Sequence, residues 1–152
     1  YMAGYGMEVD PRQIVICNHM QDAVSMVVDL LLRSNSCLLH ETPGSMGHHS
    51  YSKAKGIETA GIEMDDEGPI IPQLLYRISK HKRNMFLFTT ALFSSPVGIT
   101  TSHSRMLEIS KIYTNAEIPI VEMDEYRGYD FNTPTTEYEL NNGKHVVYIG
   151  SL

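Results

Sequence analysis

The sequence predicts an α/β fold of three layers, a mainly parallel sheet covered by helices on both faces. Three observations predict it. Short apolar segments of strand length alternate along the chain with segments of helical period, the pattern of repeated right-handed βαβ units. Loops rich in Gly, Ser, Thr or Pro follow several of the strands. The 152 residues are 42% hydrophobic, enough for one globular domain, residues 1–152, with a real core.

Taken in order, residues 13–17 form a short apolar run that reads as a first strand. Met20, Val24, Val27, Val28 and Leu31 then recur at helical spacing up to Arg33, and residues 34–36 break that helix. A second strand over 37–40 runs into the loop Glu41-Thr-Pro-Gly44, and small polar residues over 45–55 suit a weakly amphipathic helix. Gly56 turns the chain into a third strand, 57–63, expected at an edge of the sheet. Asp65-Asp-Glu-Gly-Pro69 is a turn whose proline suits the first turn of a helix, and Ile70, Leu74, Leu75 and Ile78 make the buried stripe. The basic run 80–83 suits that helix's C-terminus. Residues 85–90 are a fourth strand, and 91–101 a loop containing Pro96. Ser102 is the N-cap of a helix over 103–113 that buries Met106, Ile109 and Tyr113. The apolar run 118–122 reads as a buried parallel strand, and 144–149 as the last strand. There is no internal repeat or low-complexity segment.

In parallel sheets the chemistry sits beyond the C-terminal ends of the strands. Asp124 falls just past the strand 118–122, and Tyr126 follows two residues on. In extended backbone such a pair points the same way and could grip one ligand; the alternative is a solvated acidic turn. The net charge of −6 argues against a nucleic-acid surface on this segment, which needs clustered Lys and Arg. Cys17 and Cys37 each lie in an apolar run and read as buried thiols of a reducing cytoplasm. No apolar stretch reaches the roughly 18 residues of a membrane span. Residues 1–6 lack the features of a signal peptide, and the chain reads as starting within a longer protein. His40, Glu41, His48 and His49 do not have the usual zinc spacing, since adjacent histidines point apart, so no metal is expected there. The Ser-rich loop with His103 lacks a Gly-x-Ser-x-Gly elbow. Glu122, Glu125 and Asp130 crowd the Asp124 region with negative charge.

Several short motifs fall in a familiar order: Gly6-Met-Glu-Val-Asp-Pro-Arg-Gln-Ile14, Gln21, Glu41-Thr-Pro-Gly44 with Gly47, Asp66-Glu-Gly68, Pro96-Val-Gly98, Arg105, Asp124-Glu-Tyr126 and Val147-Tyr-Ile-Gly-Ser151. Together they resemble the large domain of fold-type I pyridoxal-phosphate (PLP) aminotransferases. A close version is the aminotransferase-like domain of MocR-type regulators in the GntR family, which join it to a DNA-binding winged helix. The resemblance implies that Asp124 pairs with the protonated pyridine nitrogen and that Tyr126 hydrogen-bonds the ring hydroxyl. It places the phosphate at the turn holding His19, Met20 and Gln21, at a helix N-terminus. His19 stands where the family has glycine, Ser45 where it has a stacking aromatic residue, and Ser95 where it often has asparagine. The family's Schiff-base lysine follows the last strand, and no lysine of this chain matches it.

The resemblance implies a domain that senses a small amino compound or PLP and relays this to DNA binding through a domain outside this chain, in a cytoplasmic homodimer. The alternatives are a fragment of a class I/II PLP-dependent aminotransferase and a structural dimerisation domain without ligand. The isolated chain is expected to be inactive in transamination. In the family's sheet, an antiparallel strand that follows the missing lysine lies beside the first strand. The other five strands are therefore expected to form a parallel block, while the first strand slides into the vacant slot or pairs with a second copy.

Overall fold

The computed structural model describes residues 7–33, 35–81, 84–129, 136, 141 and 143–151. Five helices of either kind are found there: a 3₁₀ turn Pro11–Gln13, α1 Met20–Leu31, α2 Met46–Ala54, α3 Ile71–Lys80 and α4 His103–Ala116. The strands are β1 Cys37–Thr42, β2 Glu58–Asp65, β3 Gly68–Pro69, β4 Met85–Thr89, β5 Ile120–Asp124 and β6 Val146–Gly150. They form one sheet in the order β3-β2-β1-β4-β5-β6. Every neighbouring pair is parallel except β2 with β3.

The sheet separates two apolar layers because successive strand residues face opposite sides. Leu39, Leu87 and Ile120 pack with Leu74 of α3 and Ile109 and Tyr113 of α4. Their neighbours Leu38, Phe86, Phe88 and Val121 pack with Val24 and Val28 of α1 on the other face. Strands buried on both faces explain the continuous apolar runs in the sequence. The expected three-layer α/β architecture is therefore the observed one, and the expected block of five parallel strands is present.

Local chemistry sets the helix ends. Ser102 accepts from the Arg105 backbone N–H and caps α4, as its sequence position predicts. Arg105 in turn binds the Asp65 carboxylate at 3.1 Å and the Pro69 carbonyl at 2.7 Å, tying α4 to the β2–β3 turn.

Three expectations are corrected. Residues 13–17 are not a strand: Ile14 N–H closes the 3₁₀ turn on the Pro11 carbonyl (3.2 Å), and Val15 and Ile16 are 73% and 86% exposed. The segment neither enters the sheet nor slides in beside β6, because apolarity favours burial but supplies no hydrogen-bonding neighbour. Over residues 58–63 β2 is the edge of the parallel block, as expected; the two-residue β3 pairs antiparallel only with its last two residues, Met64 and Asp65. Pro69 lies in β3, and α3 begins at Ile71 with Pro72 in its first turn. That start places Ile71, Leu74 and Ile78 toward the core and leaves Leu75 48% exposed. Finally, Asp124 is the last residue of β5 and not a residue beyond it. Of the cysteines, Cys37 is buried and Cys17 only partly so, its thiol 3.9 Å from the Met26 sulfur.

Candidate cofactor site

From β1 the chain crosses to β2 on one side, whereas β4, β5 and β6 follow on the other. The connections thus diverge between β1 and β4, where an open parallel sheet forms a crevice at its C-terminal ends. Glu41 of β1 lies there with its side chain buried. Its carboxylate accepts from the Thr89 hydroxyl (2.6 Å), the Thr90 N–H (3.0 Å) and the Ser94 hydroxyl (2.9 Å). Burial pushes the carboxyl pKa up, and the three donors oppose that shift. The acid therefore clamps β1 to β4 and to the loop that follows β4. Sequence reasoning missed this role, although an acid ending an apolar strand was a signal; its partners lie 48 to 53 positions away.

At the end of β5, Asp124 is 2% exposed. Its Oδ2 accepts from the Tyr148 hydroxyl at 2.7 Å and lies 3.6 Å from Arg127 Nη1, in a pair whose side chains are both 1% exposed. Strand register explains the first contact. Glu122 pairs with Tyr148 and Asp124 with Gly150, so all four positions lie on one face of the sheet. Burial, then the bond to Asp124, push the Tyr148 hydroxyl far above the ordinary phenol range, so it stays protonated as a donor. Neither Tyr148 nor Arg127 was singled out from sequence as a partner of Asp124.

Tyr126 follows two residues after Asp124. The backbone bends at Glu125, which ends the extended geometry on which a shared Asp124–Tyr126 grip depended. The Tyr126 ring is 40% exposed and meets Phe93 edge-on, with centroids 6.4 Å apart. Together with Ser95, Pro96, Gly98 and Tyr129 it lines an open groove of about 620 Å³. Two of the expected contact residues, Tyr126 and Ser95, are thus brought together.

His19 is the N-cap residue of α1 but makes no side-chain cap, and its carbonyl accepts from Asp22 N–H (3.0 Å). Met20 and Gln21 open the helix. The Gln21 side chain reaches α2: a β-carbon on Gly47 would lie 2.5 Å from its Oε1, so glycine leaves the room this contact needs. Ser45 is the N-cap residue of α2, also without a side-chain bond.

The histidines cluster, contrary to the expectation that neighbours diverge. His40 lies 5.9 Å from His48 and 4.8 Å from His49 between ring centroids, and His48 stacks on Phe88 at 4.8 Å. Successive helix residues are only about 100° apart, so both rings of α2 reach His40. Burial, and then His40 and His49, push His48 down to about 3. At neutral pH it is an uncharged aromatic filler, and its two ring nitrogens have no hydrogen-bond partner among the described residues.

No family model matches the chain. Over 154 residues, and across its full length, it is 28% identical to the uncharacterised HTH-type transcriptional regulator YdfD of Bacillus subtilis and 25% identical to YisV of the same organism. The chain spans about a third, 32%, of the length of each. It superposes with a TM-score of 0.91 and 20% identity on an archaeal alanine:glyoxylate aminotransferase, over 99% of this chain and 39% of that one. At that identity the likeness establishes the fold. By sequence the chain is a homologue of HTH-type transcriptional regulators, and by fold it is an aminotransferase-like domain.

Proposed function

We propose that this chain is the effector-sensing domain of a GntR/MocR-type transcriptional regulator, active as a cytoplasmic homodimer. The observation that carries the reading is the sequence likeness to HTH-type regulators along the whole chain. DNA would be bound by a part of the protein outside this chain, in keeping with the net charge of −6 here. Among the described residues, no helix is long and apolar enough to cross a membrane.

The donor set fits a pyridoxal phosphate group in kind. Asp124 is a buried carboxylate at a strand end, suited to a protonated ring nitrogen. Tyr148 and Arg127 hold that carboxylate in place, and Arg127 also offsets its charge. Tyr126 and Ser95 offer hydroxyls to the ring's oxygen from the adjoining groove. His19, Met20 and Gln21 present the uncapped start of α1 to a phosphate. Ser45 leaves the ring without an aromatic partner at that position. Bound there, the group would supply an aldehyde that captures primary amines, which is why an amino compound is the proposed effector. A sensor needs this capture and its release without turnover, so it tolerates the altered Ser45 and Ser95 positions better than an enzyme does.

The test uses the full-length protein. Its affinity for the DNA upstream of its own gene is measured with and without PLP and a panel of primary amines, beside an assay of amino transfer to 2-oxo acids. Ligand-dependent DNA binding without turnover is the expected result. Efficient transamination without DNA affinity would overturn the reading in favour of the aminotransferase alternative.

A further inference from the structure

The opposite end of the sheet holds a second group of chemically capable side chains, Cys37, Glu58 and His81. Their Sγ, carboxylate oxygen and imidazole nitrogen all lie within 4.8 Å of one another. We propose that these three residues form a zinc-type divalent metal site that fastens β1, β2 and α3 together, independently of the crevice at Asp124.

The fold brings the three together by register and by helix length. Cys37 and Glu58 are the first residues of β1 and β2 and are paired partners across the ladder. The Cys37 N–H is also held by the Asn84 carbonyl at 2.9 Å, which leads into β4. His81 is the C-cap of α3, its N–H donating to the Arg77 carbonyl at 3.1 Å. The negative end of the α3 dipole therefore points at the same spot and favours a cation. Two basic side chains of the last turn are engaged elsewhere: Arg77 donates to the Gly61 carbonyl at 3.0 Å, and Lys80 lies over the Tyr76 ring.

Distance and donor type both suit the ion. His81 Nδ1 and Glu58 Oε1 are 3.5 Å apart. In a tetrahedral zinc site with bonds of about 2.0–2.1 Å to nitrogen and oxygen, that edge is roughly 3.3 Å. Edges to the sulfur are roughly 3.5 Å in such a site, so the group must close by up to about 1.3 Å. The movable members can supply this, because the Glu58 side chain is 46% exposed and that of His81 16%, whereas Cys37 is fixed and fully buried. Thiolate, imidazole and carboxylate together form a borderline-soft set that selects zinc over magnesium or calcium. Binding releases the Cys37 proton to solvent.

The test strips the purified protein with a chelator and titrates it with Co²⁺, a spectroscopic stand-in for Zn²⁺. One equivalent per chain is expected, with a thiolate-to-cobalt charge-transfer band and tetrahedral d–d bands that Zn²⁺ abolishes. Zn²⁺ should also raise Tm. Cys37→Ser should remove the charge-transfer band. Because Cys37 is in the core, the rim variants His81→Asn and Glu58→Gln are measured too, with an expected loss of at least tenfold in metal affinity. The thiolate band separates this site from the imidazoles of His40, His48 and His49. A wild-type protein without that band, or one whose band and Zn²⁺-dependent Tm are the same in His81→Asn, would overturn the proposal.

Discussion

The Tyr148 hydroxyl on β6 donates to Asp124 Oδ2 on β5 across 2.7 Å, between adjacent parallel strands. Because the acceptor is a buried carboxylate, the bond is charge-assisted, and Tyr148→Phe should cost about 1.5–3 kcal/mol. Asp124→Ala should cost more, about 3–5 kcal/mol, since it takes the anion away from a guanidinium that is 1% exposed. Urea denaturation of the three proteins checks both values. A Tyr148→Phe variant with an unchanged midpoint would show that the bond adds nothing.

The Glu41 clamp makes a contrast between two substitutions. Glu41→Gln keeps an oxygen for Thr89 and Thr90 and places its amide beside the Ser94 hydroxyl, which can accept, so a loss of less than about 1 kcal/mol is expected. Glu41→Ala leaves three donors without their acceptor in a buried place, at about 2–4 kcal/mol. The loop after β4 should also become more mobile in the alanine variant, as faster amide exchange at Ser94 and Gly98 would report. Equal stability of the two variants would contradict the clamp.

His48 should weaken the fold in acid. Its folded pKa, about 3, lies below the value of 6.5 for the free side chain, so the unfolded chain takes up the proton first. Stability is thus unaffected by His48 above pH 6.5 and is lost as pH falls from 6.5 toward 3. The expected slope from this one group is about 1.4 kcal/mol per pH unit. His48→Leu keeps an apolar filler against Phe88 and removes that slope. Denaturation curves between pH 7 and 4 should therefore diverge, the variant losing less; parallel curves would mean that His48 protonates without cost.

Two glycines with positive φ should respond differently to alanine. Gly56 has φ +71° and open space where a β-carbon would go, so Gly56→Ala carries only the left-handed backbone cost of about 1–2 kcal/mol. Gly68, at φ +117°, would place a β-carbon 2.8 Å from buried Thr101. Gly68→Ala should be clearly the more damaging in thermal unfolding, and an equal Tm loss would show that Thr101 yields freely.

Periodicity and length made most of the fold legible. Met20, Val24 and Val28 mark α1 because a helix must turn one stripe inward, and Ser102 marks the start of α4 because its hydroxyl replaces a missing backbone acceptor. The apolar runs of β1, β4 and β5 announced a parallel sheet covered on both faces. The same reasoning failed at residues 13–17, where composition suggested a strand but strand formation depends on a neighbour that apolarity does not name.

The candidate site divides along the same line. Asp124 was legible from its place at the end of an apolar run, a local property of the sequence. Its engagement by Tyr148 and Arg127, the Glu41 clamp, and the convergence of Cys37, Glu58 and His81 depend on strand register and helix length. The sequence by itself determined which segments are buried and of which type, because burial and period are written in neighbouring residues. Only the tertiary structure decided which side chains meet, because register is set by the summed packing of both faces of the sheet, with partners tens of residues apart.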